Sequence, residues 1–159
     1  MISQIDISEF RKRLKANTKQ GNPKISGTPL HAFNMTGEKD KLFFGIINQN
    51  DFRITQNAIL HPIPFILKGK FKSKNATQTE ILYEIIPIKF GYYWSRYFPF
   101  FAFLLFNTVF IVKKAPLIVY ITFNSFLLIT SLISRTITSH KKRKFINNFK
   151  KVFEITDNE

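Results

Sequence analysis

Cations are the side chains in this 159-residue chain best spaced to do chemistry. Lys68, Lys70, Lys72 and Lys74 alternate along one stretch, so in an extended strand all four leave the same face. Such a stripe suits phospholipid headgroups or another polyanion. Its plainer role is a solvated face partly balanced by Glu80 and Glu84. A second run, Lys141-Lys142-Arg143-Lys144, offers similar chemistry, and near an anionic leaflet each such charge adds ~1 kcal/mol to attachment. Nucleic acid is the poorer partner, because the aromatic residues are not interleaved with the lysines.

No catalyst is assembled from what remains. His31, His61 and His140 sit in unrelated contexts, with no carboxylate at ligand spacing. Cysteine is absent, which removes disulfides and thiolate metal sites. Glycine-rich phosphate loops, G-x-S-x-G and H-E-x-x-H are all missing. The sequence therefore points to a non-enzymatic protein with no metal and no cofactor. The sequons at Asn34 and Asn75 carry no meaning in a cytoplasmic domain.

The elements that must carry these cations are organised around two uncharged runs, Phe98 to Val112 and Pro116 to Ser134, separated by Lys113-Lys114-Ala115-Pro116. The second run would make about 28 Å of helix, close to a hydrocarbon core of ~30 Å. Together they read as a transmembrane helical hairpin. Tyr92, Tyr93, Trp94 and Tyr97 precede the first run as interfacial anchors, with Arg96 able to snorkel among them. Pro99 is expected in a first helical turn, where a missing donor is tolerated. Tyr120, Asn124, Ser131 and Ser134 share one side of the second helix. Asn107 lies at similar depth in the first, so these residues are candidates for a helix–helix contact, within one chain or in a homo-oligomer. A substrate path is poorly supported, since no charge lies inside either run.

Lys89, Arg96, Arg135, Lys141, Lys142, Arg143, Lys144, Lys150 and Lys151 flank the open end, against Lys113 and Lys114 in the loop. That asymmetry places both termini on the cytoplasmic side of the membrane. The net charge of +14 fits an anionic surface as partner. Met1 to Phe10 contains Asp6 and Glu9 and no apolar core of signal length, so the hairpin is expected to be the targeting element.

The remaining pattern predicts an α+β protein with a small antiparallel sheet. Residues 1–29 read as an N-terminal helix, capped by Ser8 or Asp6, that packs on the following domain in preference to lying on lipid headgroups, then an irregular linker from Asn17 to Pro29. Residues 30–91 form the β-rich domain, with short strands at Leu42–Ile47 and Phe52–Thr55. A longer hairpin follows, in which Ser73 opposes Thr77, Phe71 opposes Thr79 and Lys70 opposes Glu80. Residues 92–136 hold the transmembrane hairpin. Residues 137–159 form a basic amphipathic helix and tail, its apolar side made of Phe145, Ile146, Phe149, Val152 and Phe153. That helix would run along the inner leaflet or pack under the β-domain.

The order Gly69-Lys70-Phe71, polar turn, Thr79-Glu80-Ile81, a second β segment, then an aromatic-led two-helix hairpin resembles a group of small uncharacterised bacterial membrane proteins. The resemblance covers about Leu42 to Ser134, and its motifs are short. It implies a cytoplasmic region of pleckstrin-homology-like type, although here the strands precede the helices. It implies no activity and transfers no functional residue. The expected function is a non-enzymatic protein of the bacterial inner membrane whose cytoplasmic β-domain binds a protein partner or anionic lipid headgroups. The alternative is an accessory subunit or immunity-type factor acting through its transmembrane helices in a larger complex.

Overall fold

Asp6 sets the first helix, its carboxylate accepting hydrogen bonds from the backbone N–H groups of Ser8 and Glu9 at 2.8 and 3.0 Å. The resulting helix α1 (Ile7–Asn17) buries Phe10 and Leu14, so it packs on the sheet as its spacing predicts. The computed structural model of the chain describes residues 1–25, 40–57 and 63–156. His31, His61 and the Asn34 sequon lie outside them.

The sheet is mixed and seven-stranded, larger than the antiparallel four-stranded one expected. Its strands are β1 (Ile2–Ser3), β2 (Thr18–Gln20), β3 (Phe43–Ile47), β4 (Asp51–Gln56), β5 (Phe65–Ser73), β6 (Thr79–Pro87) and β7 (Ile155–Thr156), in the order β2-β3-β4-β5-β6-β1-β7. β2 runs parallel to β3, and every other pairing is antiparallel. The expected linker from Asn17 therefore contains a strand and a short 3-10 turn at Pro23–Ile25. Two- and three-residue strands leave no periodic trace in a sequence.

The long β5–β6 hairpin forms in a different register from the one expected: Ser73 opposes Thr79, Phe71 opposes Ile81 and Lys72 opposes Glu80. The cause is the turn. Lys74 N–H donates to the Gln78 carbonyl at 3.0 Å, and the Asn75 carboxamide oxygen accepts from Thr77 N–H at 3.0 Å. The connection thus spans Lys74 to Gln78 rather than Lys74 to Ala76. Because the displacement is two residues, each side chain keeps its face. Leu67, Phe71, Thr79 and Ile81 are buried, and Lys70, Lys72 and Glu84 remain outside.

Two glycines allow close approach within this sheet. A Cβ at Gly69 would overlap the Phe52 ring, and one at Gly45 would overlap the Arg53 carbonyl on the neighbouring strand.

After β6 the chain enters α2 (Lys89–Val112), turns, and returns as α3 (Leu117–Val152). Lys114 makes the turn with φ of 51°, a left-handed cap, while Ala115 N–H donates to the Phe110 carbonyl at 2.9 Å. Pro99 lies inside α2 rather than in its first turn, since the helix begins at Lys89. It removes one interior hydrogen bond.

One continuous helix occupies the second apolar run and the basic C-terminal segment, across the expected boundary at residues 136–137. Its last three turns fill the sheet's core face. Phe145, Phe149 and Phe153 join Phe10, Phe43, Phe52 and Phe71 in one cluster with Leu14, Ile54, Leu67 and Ile81. Glu154, at φ of 49°, ends the run and lets β7 return to β1. Ser3 Oγ donates to the Phe153 carbonyl, and Arg13 bridges Glu9 at 2.8 Å and Glu154 at 2.7 Å. These carboxylates hold the Arg13 guanidinium above its usual range, chiefly through the hydrogen bond it donates to Glu9, then the one it donates to Glu154. The two ends of the described chain thus share one core.

Candidate functional site

Two of the four striped lysines are neutralised on the outer sheet face. Lys68 pairs with Glu84 and Lys72 with Glu80, each at 3.1 Å. Among the described residues, Lys70 and Lys74 have no ion pair. The stripe also leads away from the helices. Ile88 N–H donates to the Pro64 carbonyl at 2.8 Å, which ties the Phe65–Pro87 end of the hairpin to α2. Lys74 is then about 30 Å along the strand direction, at ~3.3 Å per residue.

The two long helices are locked by paired amides. Asn107 Nδ2 donates to Asn124 Oδ1 at 2.9 Å, and Asn124 Nδ2 returns the bond at 3.1 Å. Phe106 and Phe110 pack on Phe123, and Tyr120 meets Phe110 edge-on at 5.4 Å. Asn107, Tyr120 and Asn124 are thus brought together within one chain. Ser131 is half-buried, and Ser134 lies elsewhere, in a cleft at the foot of the helices.

That cleft is a polar concavity. Its volume is about 330 Å³. Arg96 and Tyr92 enter it from α2; Ser134, Arg135, Thr138, Ser139 and Lys142 enter from α3; Phe65 closes it from β5. Arg96 Nη1 donates to Tyr92 Oη at 2.9 Å, the Tyr92 ring meets Phe65 at 5.9 Å, and Lys142 Nζ stands 4.7 Å over the Phe65 ring. The helix register explains the convergence. Eleven residues separate Arg96 from Asn107, and eleven separate Asn124 from Arg135, so the amide lock sets the two arginines at one level.

Three cations therefore line one concavity that no carboxylate enters among the described residues. Among the described residues, Arg96, Arg135 and Lys142 form no ion pair. The hydroxyls of Ser134, Thr138 and Ser139 form no hydrogen bond with the described residues. Elsewhere in the same helices, Thr108, Thr130 and Thr136 donate back to the carbonyls of Leu104, Phe126 and Leu132 at 2.8–3.0 Å. The arrangement can bind an oxyanion and donate several hydrogen bonds to it.

Arg96 and Lys142 stand out in the sequence as an interfacial residue and a member of a basic run, and Arg135 only as part of a charge count. Their meeting was not foreseen. A signal exists: Arg135, Thr138, Ser139 and Lys142 fall at i, i+3, i+4 and i+7, one face of a helix.

The remaining predicted residues stay apart. Lys141 is half-buried, Arg143 and Lys144 are exposed beyond the cleft, and His140 is exposed on α3. Tyr93 stacks with Tyr97 at 5.9 Å, and Trp94 stacks between Phe90 and Phe98 at 6.1 and 4.9 Å. No group of three His, Asp or Glu side chains suited to a metal ion occurs among the described residues. No protein-family model, curated protein or solved structure matches the chain.

Proposed function

We propose that this chain is a membrane-anchored binding protein. In this reading, α2 and the first half of α3 cross the bilayer as a hairpin. The mixed-sheet domain is held on the cytoplasmic side, where the basic foot of the helices binds anionic lipid. The observation that carries the reading is the division of α3. Its most apolar 18-residue window is long and apolar enough to cross a membrane and has none of its residues buried in the molecule, whereas Phe145 and Phe149 of the same helix are core. An apolar surface of that extent needs an apolar surround.

Further features support this reading. Asn107 pairs with Asn124, and the Thr108 and Thr130 hydroxyls donate to backbone carbonyls of their own helices, as hydrocarbon requires. Both ends of the hairpin enter one domain, so both lie on one side. The charge asymmetry makes that side cytoplasmic. From Arg135 to Phe145 the helix rises about 15 Å. That carries the chain through a headgroup layer of roughly 5–8 Å and sets the domain just beyond it. Lipid contact then falls at the foot, while the Lys68–Lys74 stripe leads away from it.

The absence of cysteine makes the test direct. Lys113→Cys and Asn75→Cys are expressed in bacterial cells and treated with an impermeant maleimide. The expected result is labelling of K113C in intact cells, and of N75C only after permeabilisation. Release of the protein by alkaline carbonate, or the reverse labelling, overturns the reading.

A further inference from the structure

We infer that the cleft between Arg96, Arg135 and Lys142 is a binding site for one phosphate group, supplied by the headgroup of an anionic phospholipid. The inference rests on the membrane reading above and adds a specific ligand site to it. The amide lock sets Arg96 and Arg135 at one level, on helices joined at their far end, and Lys142 stands about two turns below Arg135. Like charges gathered in one concavity repel, and more strongly at the edge of a low-dielectric layer than in water. An anion between them turns that repulsion into attraction.

The shape of the donor set argues for phosphate over a carboxylate. Guanidinium groups match phosphate oxygens through paired N–H donors. Three hydroxyls, those of Ser134, Thr138 and Ser139, supply further donors in the same space. A tetrahedral oxyanion has acceptors for donors arriving from two helices; a planar carboxylate satisfies fewer of them. The cleft volume of about 330 Å³ accommodates a headgroup phosphate with its glycerol.

Position selects the source. Arg96 directly precedes Tyr97 and the first apolar run, and Arg135 directly follows Ser134, where the second run ends. The site therefore opens at the depth where lipid phosphates lie.

The test uses the full chain in mild detergent, with Trp94 as reporter: it is the only tryptophan and stands two residues from Arg96. Phosphatidic acid, phosphatidylcholine and inorganic phosphate are titrated separately. Phosphatidic acid is expected to change the emission saturably, phosphatidylcholine much more weakly, and inorganic phosphate to compete. Arg96→Gln or Arg135→Gln should each weaken phosphatidic acid binding roughly ten-fold or more, as loss of charge-assisted hydrogen bonds implies.

The control Arg143→Gln/Lys144→Gln/Lys151→Gln removes as much charge as Arg96→Gln/Arg135→Gln/Lys142→Gln, but outside the cleft, and should retain most of the binding. Equal losses in the two triple variants, or equal binding of both lipids, overturn the site. Inorganic phosphate binding as tightly as phosphatidic acid keeps the phosphate site but makes free phosphate its ligand. A chain extracted by carbonate that still binds phosphate through Arg96 and Arg135 sinks the hairpin reading alone. A carbonate-resistant chain without lipid preference sinks the cleft alone.

Discussion

Phe149→Ala tests whether the end of α3 is structurally part of the sheet domain. Phe149 is fully buried, and its ring centroid lies 4.9 Å from Phe153, 5.5 Å from Phe52, 5.7 Å from Tyr83 and 6.1 Å from Phe43. Truncating a buried phenylalanine costs roughly 3–5 kcal/mol. The four ring contacts, each adding ~0.5–1.5 kcal/mol beyond area, put this site toward the upper end, at about 4 kcal/mol. Against a domain stability of ~5–15 kcal/mol, that is close to a thousand-fold rise in the unfolded population. Brief trypsin pulses across a urea series, applied to the full chain in detergent, read this out through its many lysines and arginines. With a urea dependence of ~1–3 kcal/mol per molar, the midpoint should fall by about 2 M. Phe126→Ala makes the same chemical change in the apolar half of α3, where the ring is 60% exposed. It should shift the midpoint little. A Phe149→Ala midpoint within that of Phe126→Ala would refute the assignment of α3 to the core.

Asn107→Leu and Asn124→Leu should each destabilise the helix pair by about 0.6–2 kcal/mol, while the double variant loses less than their sum, because neither amide is left stranded; a double-mutant cycle in detergent measures the coupling. Gly45→Ala should cost more than Gly69→Ala in urea unfolding: overpacking typically costs ~1–3 kcal/mol, and a backbone carbonyl gives way less readily than the Phe52 ring. Asp6→Ala, which strands the N–H groups of Ser8 and Glu9, should cost about 1 kcal/mol by the same measurement.

The parts of this fold legible in the sequence are those whose signal is local. Alternation in Phe65–Ser73 and Thr79–Pro87 shows two strands and their buried faces, and Asp6 with the spacing of Phe10 and Leu14 shows α1. The apolar runs show both long helices. The β5–β6 register was less accessible, because it depends on whether Asn75 closes a three- or five-residue turn. β1, β2 and β7 exist only through partners distant in sequence: Ile2 pairs with Glu80 and Thr156, and Thr18 with Phe43. The spacing of Phe145, Phe149 and Phe153 reveals an apolar face but not what covers it, and here the sheet does. The cleft was hidden for the same reason, since Arg96 and Arg135 meet only through the register that Asn107 and Asn124 fix.

The bond between Ser3 and the Phe153 carbonyl also sets an order of events during synthesis. β1 and β6 leave the ribosome with β3, β4 and β5, but the phenylalanines that seal their inner face come about sixty residues later, a delay on the order of seconds at ~5–20 residues per second. Through that interval Phe43, Phe52, Leu67 and Phe71 lack the part of their cover that α3 supplies. The hairpin is thus an insertion in a domain whose closing piece is translated after it, and both long helices must be made before the sheet can be completed.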